Sequence, residues 1–174
     1  MRLRALTKIV RSLFSAFRTS KPATPDSPQG RGVAWSPGQS GADATIEVGI
    51  EALGRRRIVF DPRVDGKPDP GEVVWTWVPY EENDGRGKDR PVLIVARESS
   101  RSVFALQLTS KPHDRDAQHF VYVGPGPWDS QGRPSWVRLD RVFRVFESGM
   151  RREASSVSRA QFAAVTSALK GRRP

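Results

Sequence analysis

Residues 72–78, Glu-Val-Val-Trp-Thr-Trp-Val, set Val73, Trp75 and Trp77 against Val74, Thr76 and Val78. A period of two is the spacing of a β-strand, whose successive side chains point to opposite faces. Before this strand lies the turn-rich Val64-Asp65-Gly66-Lys67-Pro68-Asp69-Pro70-Gly71, and after it a charged loop from Pro79 to Arg90. Pro91 then opens a nearly continuous apolar run, Val92 to Ala96, which suits a strand buried on both faces. Ser102 to Thr109 alternates again, and His119 to Val123 and Trp136 to Phe146 complete five or six strands separated by turn residues. The last element reads as a helix. Ser158 is its N-cap, Gln161 three residues on completes a capping box, and Val157 and Phe162 are spaced as a hydrophobic staple. Phe162, Val165 and Leu169 form its buried stripe, and Gly171 stops it. The expected fold is mainly β with a C-terminal helix: a small, strongly bent barrel over residues 68–174, closed by that helix.

Upstream the pattern changes. Residues 1–19 place Leu3, Leu6, Val10, Leu13, Phe14 and Phe17 within an arc of roughly 100° at helical spacing, with Arg4, Lys8, Arg11 and Arg18 opposite. This is a basic amphipathic helix, suited to an anionic membrane surface, a partner or the chain's own barrel. Residues 20–44 are rich in Pro, Ser and Gly and have no apolar period, so a disordered linker is expected there. Residues 45–67 form a lead-in whose one candidate strand is Ile58-Val59-Phe60.

A net charge of +10 points to a polyanionic partner: nucleic acid, an anionic membrane or an acidic protein. The absence of cysteine excludes disulfide scaffolds, thiolate zinc sites and cysteine nucleophiles. Two histidines, His113 and His119, are too few for a metal centre built mainly from imidazoles; no cofactor is expected. No run reaches the roughly 18 apolar residues of a membrane span, and the N-terminus lacks the continuous apolar core of a signal peptide. The expectation is a cytoplasmic protein, with peripheral contact at the inner membrane surface through residues 1–19 as an open alternative.

Four segments, in order, resemble the PemK/MazF family of toxins. Pro70-Gly71-Glu72-Val73-Val74-Trp75 is similar to its Gly-Asp/Glu strand start, and Arg90-Pro91-Val92-Leu93-Ile94-Val95 to its Arg-Pro-Val-apolar second strand. Leu108-Thr109-Ser110-Lys111 is similar to the Thr-Ser ending of its third strand, and residues 136–145 resemble a later strand with an acid before a basic, apolar, basic run. The resemblance implies an SH3-like barrel of the PemK/MazF/CcdB type, a homodimer, and metal-independent cleavage of single-stranded RNA. It also implies control by an acidic antitoxin; contact with DNA through a toxin–antitoxin complex is an open partner. The alternative is a non-catalytic barrel that binds nucleic acid, poisons gyrase as the related CcdB toxins do, or attaches to a membrane surface through residues 1–19.

Cleaving RNA without a metal requires an in-line 2′-hydroxyl, stabilisation of the phosphorane oxygens and proton transfer. The family pattern places an arginine at Arg90, whose planar fork suits a phosphate, and a hydroxyl at Thr109; these two are the expected catalytic pair. Ser110 and His113 are supporting candidates, the histidine because its ordinary pKa lies near neutrality. Arg86, Lys88, Lys111 and Arg133 are expected RNA contacts, with the loop carrying Arg86 and Lys88 hinged at Gly85 and Gly87. Trp128 either stacks on an unpaired base or plugs one end of the barrel, and the plug is the favoured reading.

Overall fold

The computed structural model describes residues 35–63, 65–111 and 114–172. The expected helix over 1–19 and the linker up to residue 34 lie outside them. Among the described residues, seven strands form one antiparallel sheet: β1 (Ile46–Val48), β2 (Glu72–Pro79), β3 (Gly87–Arg97), β4 (Ser102–Thr109), β5 (Phe120–Gly124), β6 (Ser135–Phe146) and β7 (Met150–Ser156). Their order is β1-β6-β4-β3-β2-β7, with β5 also on β6. One helix, α1 (Arg159–Lys170), follows.

Strand alternation distributes the apolar residues between two cores. Val73, Leu93, Phe104, Leu106, Val137 and Leu139 pack on the helix side, with Phe162, Val165 and Leu169 of α1. Val74, Val78, Val92, Ile94, Val103, Ala105, Phe143, Val145 and Met150 form the second core, drawn entirely from strands. Curvature makes that second core possible. Arg141 of β6 reaches over to donate to the carbonyl of Pro79 on β2 at 3.0 Å, although β4 and β3 lie between them in the sheet. Irregular pairing at Val73/Val74, Ile94/Ala96 and Leu106/Leu108 marks where the strands bend. Among the described residues β1 and β7 are not paired. The segment before β1 spans the gap instead: Trp77 N–H donates to Pro37 O at 3.1 Å, and Thr45 Oγ1 lies 2.7 Å from Thr76 Oγ1.

The helix is held at its start by both halves of the capping box, Ser158 Oγ accepting from Gln161 N–H and Gln161 Oε1 from Ser158 N–H. Burial of Phe162, Val165 and Leu169 contributes on the order of 1.5–3 kcal/mol each. Gly171 ends the helix in ordinary right-handed geometry, with φ −66°.

Three features differ from the sequence reading. Ile58–Phe60 is not a strand: Phe60 reaches the core as irregular chain, its ring 5.4 Å from that of Phe162. Its place against the sheet requires glycine at Gly71, where a Cβ would stand 2.7 Å from the Phe60 ring and φ is +105°. The lead-in supplies a real strand at Ile46–Val48, paired with Val142–Arg144 of β6. Residues 35–44, counted as linker, fold back on β2 through the turns that their prolines and glycines favour. No described helix is long and apolar enough to cross a membrane.

Candidate functional site

β3 and β4 pair from Arg97↔Val103 to Val92↔Gln107, and there the pairing stops. Beyond it each strand stays with its other neighbour: β3 runs back to Gly87 against β2, and β4 runs on to Thr109 against β6. Two lips therefore part at Gln107, and a cleft of about 810 Å³ opens between them. Arg90 is two residues out from the last pair on one lip, and Thr109 two residues out on the other; both line the cleft.

Arg90 is half-buried, and neither a hydrogen bond nor an ion pair engages its guanidinium among the described residues. Thr109 is also half-buried. Its Oγ1 accepts from Lys111 N–H at 3.2 Å and lies 3.3 Å from Lys111 O, a local turn that fixes the hydroxyl while leaving its donor weakly used. Ser110 and Lys111 continue the same lip. His113 lies outside the described residues.

Cations outnumber carboxylates along the cleft, but most are already paired. Arg86 Nε donates to Asp84 Oδ2 at 2.6 Å, and Arg133 Nε to Asp129 Oδ2 at 2.8 Å. The Asp84 carboxyl sits below its ordinary pKa because the Arg86 backbone N–H and then the guanidinium bond it, and Asp129 is lowered by its bond to Arg133. Lys88 and Lys111, like Arg90, have no ion-pair partner among the described residues. Gly85, with φ +83°, lies in the turn closed by Tyr80 N–H to Arg86 O at 3.0 Å. Gly87 is no hinge: it is paired with Pro79 in β3, and a Cβ there would meet Val78 O at 2.5 Å.

Trp128 lines the cleft floor but is 2% exposed, with its indole N–H donating to Ser135 Oγ at 3.1 Å. No ring face is left for a base to stack on, so Trp128 is removed from the RNA contacts. Arg138, Trp75, Asp89 and Gln107 are among the wall residues that the sequence reading gave no site role. Arg138 binds Asp140 through two hydrogen bonds of 2.8 and 2.9 Å and also pairs with Glu81 of the β2–β3 loop. Its guanidinium is held charged above its ordinary range, by the bond to Asp140 first. Burial pushes the Asp140 carboxyl up, but Arg138 outweighs it and the net shift is downward. The strand alternation of β6 signals Arg138, since Trp136, Arg138 and Asp140 share one face; no sequence signal marks Gln107, whose role depends on where β3 and β4 part.

Among the described residues no group of three or more His, Asp or Glu side chains is placed to hold a metal. Comparison with curated proteins gives no match. The model of the family described as PemK-like, MazF-like toxin of type II toxin–antitoxin system matches residues 69–171. That span runs from just before β2 to the end of α1 and takes in both lips of the cleft; the chain belongs to this toxin family.

Proposed function

We propose that the chain is the toxin of a type II pair and cleaves single-stranded RNA at the cleft between β3 and β4, without a metal. One observation supports this most: an unpaired, half-buried guanidinium, Arg90, on the lip facing the one that carries the Thr109 hydroxyl. In the reaction the 2′-oxygen forms a bond to the adjacent phosphorus and gives up its proton. The phosphorus–5′-oxygen bond breaks, and the departing oxygen takes up a proton. Arg90 stabilises the negative charge that builds on the phosphorane oxygens with two parallel N–H donors. Thr109 exchanges its 3.3 Å contact to Lys111 O for a phosphate oxygen or the 2′-hydroxyl. Lys88 and Lys111 draw in the flanking phosphates.

The same unpaired cations suit an acidic antitoxin segment, which would silence the enzyme by occupying the cleft. A homodimer is part of this reading. The test is cleavage of single-stranded RNA in excess EDTA. Arg90→Ala should lower the rate about 10²–10³-fold, the usual loss when one preorganised donor to a developing oxyanion is removed. Arg90→Lys should recover only part of it, since a point charge lacks the fork. A rate within about threefold of wild type in Arg90→Ala, well under the loss expected of such a donor, removes Arg90 from the chemistry; full loss of cleavage in EDTA overturns the metal-independent mechanism.

A further inference from the structure

Gln107 is 7% exposed, yet its Oε1 has no hydrogen-bond partner among the described residues. Burying an amide oxygen unpaired forfeits its bonds to water, so its place needs a reason. The strand registers show what surrounds it. Val92 and Gln107 are the last partners of β3 and β4. Directly opposed residues share a face of the sheet, and so do residues two apart along a strand. Arg90, two residues out from Val92, and Thr109, two residues out from Gln107, therefore belong to the same face as Gln107. It is the face that carries the second core through Val92 and Ala105. Trp75 and Asp89, whose Nε1 and Oδ1 are also buried without a partner, belong to the other face. Gln107 thus stands at the root of the two lips, with Arg90 along one and Thr109 along the other, and all three line the cleft. Two residues of strand span about 7 Å, so a phosphodiester held between the lips has its sugar within reach of the Gln107 carboxamide.

An amide oxygen can only accept a hydrogen bond. The oxygens of an ionised phosphodiester carry no proton to give. Of the donors on a nucleic acid, the 2′-hydroxyl is the one beside the scissile phosphorus at every nucleotide, whatever the base, and it is the group that separates RNA from DNA. We propose that Gln107 reads the ribose: its Oε1 accepts from the 2′-hydroxyl next to the scissile phosphate, so that the cleft selects RNA over DNA of the same sequence at the binding step. The inference rests on the RNA reading above. Forming this bond breaks none, since Oε1 has no partner to give up. A deoxyribose leaves the oxygen desolvated and unpaired, so selection comes from a penalty on the wrong sugar as well as a gain on the right one. The amide is not a base. Accepting the O–H turns an oxygen lone pair toward the phosphorus and orients the nucleophile without removing its proton.

The experiment first locates the scissile bond by mapping 5′ ends of a cleaved single-stranded RNA. Two strands of that sequence are then made, 2′-fluoro throughout except at the nucleotide 5′ to the bond. There one carries a 2′-amino group, which donates a hydrogen bond, and the other a 2′-fluoro group, which does not; neither offers the hydroxyl nucleophile. In mildly alkaline buffer, where the amine is uncharged, wild type should bind the amino strand about three- to tenfold more tightly by fluorescence anisotropy, the worth of one neutral hydrogen bond. Gln107→Leu should bind the two alike and cut RNA at least about tenfold more slowly at saturating substrate. It should also unfold in urea at or above the wild-type midpoint, because an apolar side chain of similar size removes the unpaired oxygen. A residue that only shapes the cleft floor gives the reverse, a less stable variant with an unchanged preference, and that result overturns the proposal. Equal binding of the two strands by wild type overturns it even where the variant fails to fold. If wild type cuts no RNA, the nuclease reading falls by itself, and an all-ribose strand against its all-deoxyribose counterpart decides the matter. A ribose preference that is lost in Gln107→Leu supports the proposal; equal affinities, or a preference that survives, overturn it.

Discussion

Asp140→Asn removes the anchor of the cleft's far wall, and its cost follows from the geometry of Arg138. That guanidinium is 16% exposed, makes two hydrogen bonds to Asp140 of 2.8 and 2.9 Å, and has Glu81 as its other carboxylate partner. Asparagine keeps one acceptor and replaces the second with an NH₂ group that faces an N–H. One charge-assisted hydrogen bond is therefore lost, a loss of about 1.5–3 kcal/mol. Truncating a fully buried ion pair costs about 3–5 kcal/mol; the present case falls below that because Glu81 remains, although at 62% exposure it is a weak partner. A destabilisation of about 2 kcal/mol is expected in urea unfolding at pH 7. The pH dependence fixes the cause. Burial raises the Asp140 carboxyl, but Arg138 outweighs it, so the folded-state pKa is depressed. Its stabilisation is therefore complete above the unfolded carboxyl value of about 3.9 and is lost as pH falls through the lower folded value. The asparagine of the variant does not titrate, so the gap between variant and wild type should close in that acid window. A gap below about 0.5 kcal/mol at pH 7, or one that persists unchanged into acid, would refute the reasoning.

Leu169→Ala should destabilise by about 3 kcal/mol in the same unfolding assay, because a fully buried side chain of the helix–sheet core is emptied. Gly71→Ala should cost about 2 kcal/mol or more, since it sets a Cβ 2.7 Å from the Phe60 ring at a φ of +105°; unfolding at the wild-type midpoint would show that Phe60 moves aside freely. Binding of single-stranded RNA measured against salt should give a log–log slope of about −2 if Lys88, Arg90 and Lys111 are the phosphate contacts, and Lys88→Ala should flatten it by about 0.7; an unchanged slope excludes Lys88.

Most of the sheet was legible because its signal is local. Val73 to Val78 and Ser102 to Thr109 carry their alternation in the chain, and the Ser158–Gln161 box announces α1 directly. β1 and β7 were not legible. Met150–Ser156 carries Met, Arg, Arg, Glu, Ala, Ser and Ser, an edge strand with little apolar period, and becomes a strand only because β2 offers a partner from Glu72 to Thr76. Ile58–Phe60 erred in the opposite direction: Ile58 and Phe60 pack on the core while Val59 between them is exposed, and no neighbouring strand pairs with them. The family pattern points to Arg90 and Thr109, both of which line the cleft, and the alternation of β6 points to Arg138, whereas Asp89 and Gln107 carry no signal in the chain. Their placement depends on where two strands stop pairing, and no single strand encodes that.

The division between paired and unpaired cations carries a further consequence. Arg86, Arg133, Arg138 and Arg141 each hold a carboxylate and so shape the walls while adding little net field. Arg141, nearly buried, binds Glu47 of β1 and Pro79 O of β2 at once, which fixes the curvature that brings the two lips face to face. The attraction for a polyanion falls to Lys88 and Arg90 on one lip and Lys111 on the other. A phosphate backbone lying across the cleft meets a cation on each side, and the Thr109 turn fixes its hydroxyl beside the last of them. An acidic antitoxin segment would need only to neutralise these three charges to exclude RNA, leaving the ion-paired walls and the fold they brace untouched.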